Sequence, residues 1–258
     1  MKIVVAYKWA PNPQDADVSP TGQVDLGRAK PAVSEYDPVA FELARRLADE
    51  HGGEVVGLTV GGSSIDTPLA RKAALSRGLD RLVIVADDAL VDADSTRIAA
   101  VLAAAVRTIG DVDLVLTGDS SIDVAQGQVP MTLAGVLGWL GLAAVSGVSV
   151  ADGSLVVERS LPGGTTVLGL PTPAVLAATA DAVVPRVAGM KDILAAAKKP
   201  VEALDLAALD VAAPAASLVT LATAKPAGGD RSATIFDGSS PAEAAAQLVG
   251  ALRQAGAL

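Results

Sequence analysis

The chain has 258 residues, and its 20 basic residues against 29 acidic ones give a net charge of −9. Because an acidic surface repels a phosphate backbone, a nucleic-acid-binding function is not expected. The absence of cysteine excludes disulfides, thiolate nucleophiles and cysteine-ligated metal centres. A single histidine, His51, leaves no pair of histidines for acid–base or metal chemistry. The side chains of this protein therefore offer little reactive chemistry of their own.

The first residues predict neither a membrane anchor nor an export signal. The apolar run Met1–Ala6 meets Lys8 and then Pro11, and it is far shorter than the roughly 20 apolar residues of a membrane-spanning helix. It also lacks the apolar region and cleavage site of a signal peptide. No membrane span is therefore expected, and the cytoplasm is the predicted location.

Strands alternate with helices over the first half of the chain. Runs of Val, Ile and Leu predict buried strands, and the amphipathic segments between them predict helices. The predicted elements are strands over 3–7, 54–60, 82–86 and 114–117, and helices that begin at 37, 67, 94 and 129. This alternation predicts an α/β fold with a doubly wound parallel sheet.

The pattern changes after Trp139. Three strand-like segments are separated by Asp152-Gly153 and Pro162-Gly163-Gly164, and such sequences are typical of hairpin turns. They predict an antiparallel extension of the parallel sheet. The predicted elements of this region are strands over 143–150, 154–160, 165–170 and 174–179 and a short helix over 188–198.

The last part of the chain predicts an arm. Residues 201–238 are rich in Ala and Pro with weak periodicity, and a final amphipathic helix covers 241–252. We therefore expect an α/β domain over 1–200 and a C-terminal arm over 201–258. An arm that cannot bury its own apolar residues usually packs on a partner chain, and a mobile tail is the alternative.

The loops that follow the first four strands are the expected ligand side, because open parallel sheets bind ligands beyond the carboxyl ends of their strands. The most informative loop, 118–128, leaves a strand and enters a helix. Its glycines permit close approach of the backbone, its hydroxyls can donate to phosphate, and the following helix N-terminus favours an anion. A nucleotide site and an ordinary capped turn both fit this loop. The P-loop motif and the dinucleotide glycine fingerprint are missing.

Four segments of the chain match a known pattern in order and spacing. The first segment is the first strand followed by Tyr7-Lys8-Trp9-Ala10-Pro11, and the second is Ser34-Glu35-Tyr36-Asp37 followed by Ala40, Glu42, Ala44 and Leu47. The third is the loop, with Gly118, Ile122, Asp123, Gln128 and Val129. The fourth is Pro185-Arg186 followed by Ile193-Leu194 and Lys198-Lys199-Pro200. Together they resemble the β subunit of electron transfer flavoproteins over about residues 1–202. Departures from that pattern include Asp119 in place of Lys, Ser120 in place of Gln and Val187 in place of Tyr.

The resemblance implies a Rossmann-like fold of the adenine-nucleotide-binding type and a heterodimer with the family's α subunit. FAD, shared with the α subunit, would be the redox group, and AMP or a second FAD would lie in this chain. Tyr36 would lie toward the flavin ring, and Met190 would recognise a partner flavin dehydrogenase. The implied cofactor-binding residues are Ala6, Ser34, Glu35, Tyr36, Asp37, Gly61, Gly62, Gly118, Asp119, Ser120, Ser121, Ile122, Asp123, Gly127, Gln128 and Val129.

The function implied by this resemblance is the transfer of electrons from flavin dehydrogenases, such as acyl-CoA dehydrogenases, to a quinone reductase or another acceptor. Such a subunit needs no catalytic residues of its own, because the flavin carries the redox chemistry. A universal-stress-type regulatory homodimer that binds ATP or AMP is the alternative. An adenylating enzyme is disfavoured, because Gly61-Gly62-Ser63-Ser64 lacks the aspartate of a pyrophosphate loop. Asp87-Asp88 fits a solvated turn better than a metal site.

Overall fold

The computed structural model describes residues 1–211, 218–222, 224–226 and 233–258, and the remainder of the predicted arm lies outside the described residues. The chain divides into a larger unit, Met1–Thr223, and a smaller unit, Ala224–Leu258. The smaller unit contains the helix α6 (Pro241–Gln254). The larger unit contains, in chain order, β1 (Lys2–Ala6), β2 (Trp9–Pro11), β3 (Asp17–Val18), β4 (Val24–Asp25), β5 (Pro31–Val33), α1 (Pro38–His51), β6 (Glu54–Gly61), α2 (Pro68–Leu75), β7 (Arg81–Ala86), α3 (Ser95–Ile109), β8 (Leu114–Gly118), α4 (Val129–Leu137), β9 (Leu140–Ala151), β10 (Ser154–Leu161), β11 (Gly164–Leu170), β12 (Ala174–Ala178), α5 (Met190–Ala196) and β13 (Val201–Ala203).

Nine strands form one sheet in the order β11-β10-β9-β12-β8-β1-β6-β7-β13. The seven strands β9, β12, β8, β1, β6, β7 and β13 run parallel to one another. The strands β10 and β11 add to the β9 edge in antiparallel fashion. The predicted α/β fold with a parallel sheet and an antiparallel extension is therefore confirmed.

The central strand β1 marks the point where the chain changes direction across the sheet. After β1 the chain forms β6 and β7 on one side, and it then returns through α3 to form β8 on the other side of β1. The carboxyl ends of β1 and β8 therefore flank the topological switch point. Open α/β sheets bind their ligands at this point.

Helices cover both faces of the sheet because its central strands are apolar on both faces. Val5 of β1 packs in one cluster with Phe41 of α1 and Leu75 of α2. Val4, its neighbour, packs in a second cluster with Leu102 of α3 and Leu133 of α4. Neighbouring residues of a strand point to opposite faces, so one apolar run supplies both layers. Both clusters consist mainly of small aliphatic side chains.

The strand β9 joins the parallel and antiparallel parts of the sheet. It begins at Leu140, earlier than the predicted start at residue 143, because residues 140–142 pair in parallel with residues 174–176 of β12. Asp152 and Gly153 have positive φ angles of 50° and 75°, which suits a tight hairpin turn into β10. Among the described residues β11 pairs only with β10, so it forms one edge of the sheet.

Residues between β1 and α1 form two small antiparallel sheets, β2–β5 and β3–β4. The arm differs in detail from the sequence-based expectation. Residues 201–203, the predicted start of the arm, pair in parallel with β7 as the other edge strand. The helix α6 agrees with the predicted final helix.

The acidic turn after β7 serves as a local cap. Asp87 Oδ1 accepts from the backbone N–H of Ala89 at 2.8 Å, and Asp88 Oδ1 accepts from the backbone N–H of Ser63 at 2.9 Å. Among the described residues, no three His, Asp or Glu side chains come together as a metal-binding group. No helix in the same part of the chain is both long and apolar enough to cross a bilayer.

Candidate functional site

A cleft of about 780 Å³ opens at the carboxyl ends of β1 and β8. The segment after β1, the loop after β8, and the first turns of α3 and α4 line it. Residues 218–220 complete one wall. The largest loop of the cleft, 118–128, is the one that the sequence identified as the most informative.

Asp37 connects the two strand ends that flank the switch point. Its carboxylate accepts from the backbone N–H of Lys8 at 2.8 Å and from the backbone N–H of Gly118 at 3.2 Å. The side chain is 4% exposed. Burial raises the pKa of Asp37 to about 7, although the two N–H donors and the Lys8 charge oppose that rise. Asp37 is thus a buried acid whose charge lies at the centre of the site.

Gly118 occupies a place where no larger residue fits. A Cβ atom at this position would lie 2.5 Å from the backbone oxygen of Tyr36 and 2.8 Å from Asp37 Oδ1. The end of β8 can therefore approach the 34–37 segment closely only because residue 118 is glycine. Ser34 Oγ extends this contact by accepting from the backbone N–H of Ile122 at 3.2 Å.

An ion pair joins the segment after β1 to the loop after β8. Lys8 Nζ lies 2.6 Å from Asp123 Oδ2. Burial raises the pKa of Asp123, but the Lys8 ammonium, together with hydrogen bonds from Ser121 and the Val124 N–H, outweighs burial and holds that pKa below its usual range. The pair places one ammonium group at the wall of the cleft, within the region that an anionic ligand would occupy.

Two helices direct their N-termini at the cleft. Asp94 caps α3 by accepting from the backbone N–H of Arg97 at 2.8 Å, whereas Gln128 at the start of α4 forms no side-chain cap. Pro130 has no N–H, so the backbone N–H groups of Val129 and Met131 are the donors that the start of α4 offers to an anion. Ser95 Oγ donates to Gln126 Oε1 at 2.7 Å and joins the two helix ends.

Nine of the expected cofactor-binding residues line the cleft, and seven do not. Those that line it are Ala6, Asp37, Gly118, Ser120, Ser121, Asp123, Gly127, Gln128 and Val129. Those that lie outside the lining are Ser34, Glu35, Tyr36, Gly61, Gly62, Asp119 and Ile122. Ser34, Tyr36 and Ile122 support the loop through the contacts given above.

The remaining expected residues have other positions. Glu35 is exposed, and Gly62 lies next to Val91 of the cleft lining, where an added Cβ would be 2.6 Å from Val91 Cγ2. The backbone N–H of Asp119 donates to the oxygen of Ala178 at 3.0 Å. Burial raises the pKa of Asp119. Met190 begins α5 and is 73% exposed, away from the cleft lining.

The sequence-based reasoning missed several residues of the cleft. Lys8, Arg97 and residues 218–220 line it, and none of them was expected to bind a ligand. A local sequence pattern could have identified Arg97. Asp94 caps α3, and Arg97 lies in the first turn of that helix, directly after the loop at the end of a strand. A cation in this position lies on the ligand side of the sheet. No local pattern could have identified residues 218–220, because they reach the cleft from a distant part of the chain. The backbone N–H of Leu218 donates to Asp94 Oδ2 at 3.0 Å, across 124 residues of sequence.

The structure is that of a doubly wound α/β protein with a cleft at its switch point. The electron transfer flavoprotein domain model matches residues 21–209. The chain therefore belongs to the electron transfer flavoprotein family, whose members generally bind FAD and transfer electrons with partner proteins. This membership does not favour the universal-stress-type alternative.

Proposed function

We propose that this chain is the β subunit of a heterodimeric electron transfer flavoprotein. It would accept electrons from flavin dehydrogenases, such as acyl-CoA dehydrogenases, and deliver them to a quinone reductase or another acceptor. The observation that carries the proposal is the loop 118–129, which resembles the family's β-subunit pattern except at Asp119 and Ser120 and lines the cleft at the switch point. The cytoplasmic location stays a prediction.

We propose that the cleft binds AMP, or a second FAD in its place. The uncapped start of α4, together with the hydroxyls of Ser120 and Ser121, fits a phosphate group. Apolar side chains of Val60, Ile98 and Leu102 line the cleft and suit the face of an adenine ring. A volume of about 780 Å³ accommodates either nucleotide.

The redox FAD of the proposal is shared with the α subunit and supplies the electron-transfer chemistry when bound. The residues of this chain bind and orient. Tyr36, which is half-buried beside the cleft loop, is proposed to lie toward the flavin ring. The arm over 201–258 is proposed to pack on the α subunit, and Met190 to contact the partner dehydrogenase.

Co-expression with the product of an adjacent α-subunit-like reading frame tests the proposal. A yellow heterodimer that releases FAD and AMP on denaturation is the expected result. Two FAD molecules for each heterodimer would assign the cleft to a second flavin. A colourless homodimer that carries only ATP would contradict the proposal.

Replacing Lys8 with methionine is expected to weaken AMP binding to nucleotide-free protein by about tenfold, which corresponds to about 1.4 kcal/mol. Lys8 supplies a charge at the cleft wall, but it shares that charge with Asp123 and is partly exposed, so a modest loss is expected. Isothermal titration calorimetry with AMP measures the change. Should the cleft hold FAD, the same titration is run with FAD.

Lys2→Met is the matched control for this substitution. Lys2 lies at the opposite end of β1, where its Nζ donates to the backbone oxygen of Gly110 at 2.7 Å. Its loss should leave nucleotide affinity unchanged. Equal affinities of the Lys8→Met variant and the wild type would show that the Lys8 ammonium does not contact the ligand.

A further inference from the structure

A run of apolar side chains between β12 and the end of α5 faces solvent. Val184 and Val187 are 84% and 93% exposed, and Met190 and Leu194 are 73% and 64% exposed. Contiguous large apolar side chains at a surface are characteristic of interaction sites. We call residues 184–194 the apolar segment.

Arg186 connects the apolar segment to α1 through ion pairs with the buried Glu42 and, at 3.8 Å, with the exposed Asp49. Arg186 Nε donates to Glu42 Oε2 at 2.6 Å, Arg186 Nη2 donates to Glu42 Oε1 at 3.3 Å, and the backbone N–H of Arg186 donates to Oε2 at 3.2 Å. Glu42 is 5% exposed. Burial raises the pKa of Glu42, but Arg186 and Arg46 outweigh burial and hold that pKa at about 2. The pair of Arg186 and Glu42 is therefore ionised at neutral pH.

Arg186 is the polar attachment of the irregular stretch before α5, through Glu42 and Asp49. Within the described part of the chain, the hydrogen bonds of residues 183–188 all run from Arg186 to Glu42. Val183 adds an apolar contact with the core. A stretch with so few attachments opens easily. Loss of Arg186 would release it, while Arg46 would still neutralise Glu42 through its contact at 2.7 Å.

Lysines lie on and near α5 in a chain whose net charge is −9, while the carboxylate of Asp192, within the apolar segment, accepts from the backbone N–H of Gly189 at 2.8 Å. Lys191 and Lys198 follow Met190, and Lys72 lies on α2; none of the three has an ion-pair partner among the described residues. The helices α2 and α5 pack on each other, and Lys199 Nζ donates to the oxygen of Leu75 at 3.1 Å. Apolar side chains flanked by cations fit a partner surface with an apolar pocket and an acidic rim.

We infer that Glu42 and Arg186 are positioning residues that hold the apolar segment for docking to a flavin dehydrogenase with an acidic-rimmed apolar pocket. The inference rests on the proposed function, which supplies the dehydrogenase. Glu42 is buried beneath the apolar segment, and Arg186, although it belongs to the segment and is partly exposed, directs its guanidinium back to Glu42 on α1. The partner contacts come from Val187, Met190 and Leu194, and the flanking lysines steer its approach.

The test uses the flavin-loaded complex with its α subunit, reduced by an acyl-CoA dehydrogenase and its acyl-CoA substrate. Arg186→Gln is expected to raise the KM for the complex by about tenfold, about 1.4 kcal/mol, with kcat unchanged. Met190→Ala is expected to raise the KM as well. Because both residues act through the same segment, the double variant should show little further increase. Arg186→Lys keeps the charge and should recover part of the affinity.

Arg81→Gln is the matched control, because Arg81 forms an ion pair with Glu54 at 2.7 Å on strands β6 and β7. It should keep the wild-type KM. A wild-type complex that receives no electrons from the dehydrogenase would contradict the proposed function, and the inference would fall with it. An active wild type whose Arg186→Gln variant has an unchanged KM but a lower unfolding temperature would contradict the inference alone. Additive effects of Arg186→Gln and Met190→Ala would also contradict it.

Discussion

Replacing Gly118 with alanine is expected to lower the free energy of unfolding by about 3 to 5 kcal/mol. The added Cβ would lie 2.5 Å from the backbone oxygen of Tyr36, and a backbone atom cannot move aside as a flexible side chain can. The displacement would also break the hydrogen bond from the Gly118 N–H to Asp37. Urea unfolding measures the loss, and the nucleotide released on denaturation reports whether the cleft survives.

Gly135→Ala is the control for the same chemical change at a permissive site. Gly135 lies on the exposed face of α4, and an added Cβ there would meet nothing within 4 Å. Alanine favours helix over glycine by about 1 kcal/mol, so this variant should be slightly more stable than the wild type. Equal stabilities of the two alanine variants would contradict the close approach at Gly118.

The stability of the wild type relative to Asp37→Asn is expected to fall as the pH rises from about 4 to about 7. Burial raises the pKa of Asp37 from 3.8 to about 7, so the folded state keeps its proton while the unfolded state loses it. The contribution of Asp37 to the free energy of unfolding is complete below its pKa in the unfolded state. It is lost as the pH rises through its pKa in the folded state. The change amounts to about 4 kcal/mol at most. Urea unfolding at several pH values measures it as a difference between the two curves.

Glu42 provides a comparison of opposite sign. Its pKa is lowered from 4.5 to about 2, so its stabilisation is present above pH 4.5 and is lost as the pH falls toward 2. The difference between the wild type and Glu42→Gln should therefore increase with pH over this range. A flat difference curve for Asp37→Asn between pH 4 and 7 would show that Asp37 is not held as a buried acid.

The sheet could be predicted from the sequence because its signals are local. Continuous Val, Ile and Leu runs such as residues 3–5 and 114–116 predict buried parallel strands, and the turns at Asp152-Gly153 and Gly163-Gly164 predict antiparallel pairing. The ligand side followed from the rule for open sheets. The short strand at the start of the arm could not be predicted. Residues 201–203 pair with β7, but three residues are too few to show the pattern of a strand.

The interior of the site could not be predicted in the same way, because its contacts join distant parts of the chain. Asp37 receives hydrogen bonds from Lys8 and Gly118, which lie 29 and 81 residues away. A local pattern identifies Asp37 only as the residue before a helix, and in the structure its side chain forms no cap there. The family resemblance placed Asp37 among the cofactor-binding residues, but the hydrogen bonds by which it joins the two strand ends are evident only in the structure.

The two edges of the sheet differ in how well they are protected against pairing with a strand of another molecule. The β13 edge is three residues long, and its Glu202 lies 3.4 Å from Arg81, so charge protects it. The β11 edge runs for seven residues, Gly164–Leu170, without a charged residue or a proline. A long uncharged edge offers free backbone groups to any other strand. The isolated chain is therefore expected to aggregate edge to edge as its concentration rises, and dilute storage should delay that aggregation.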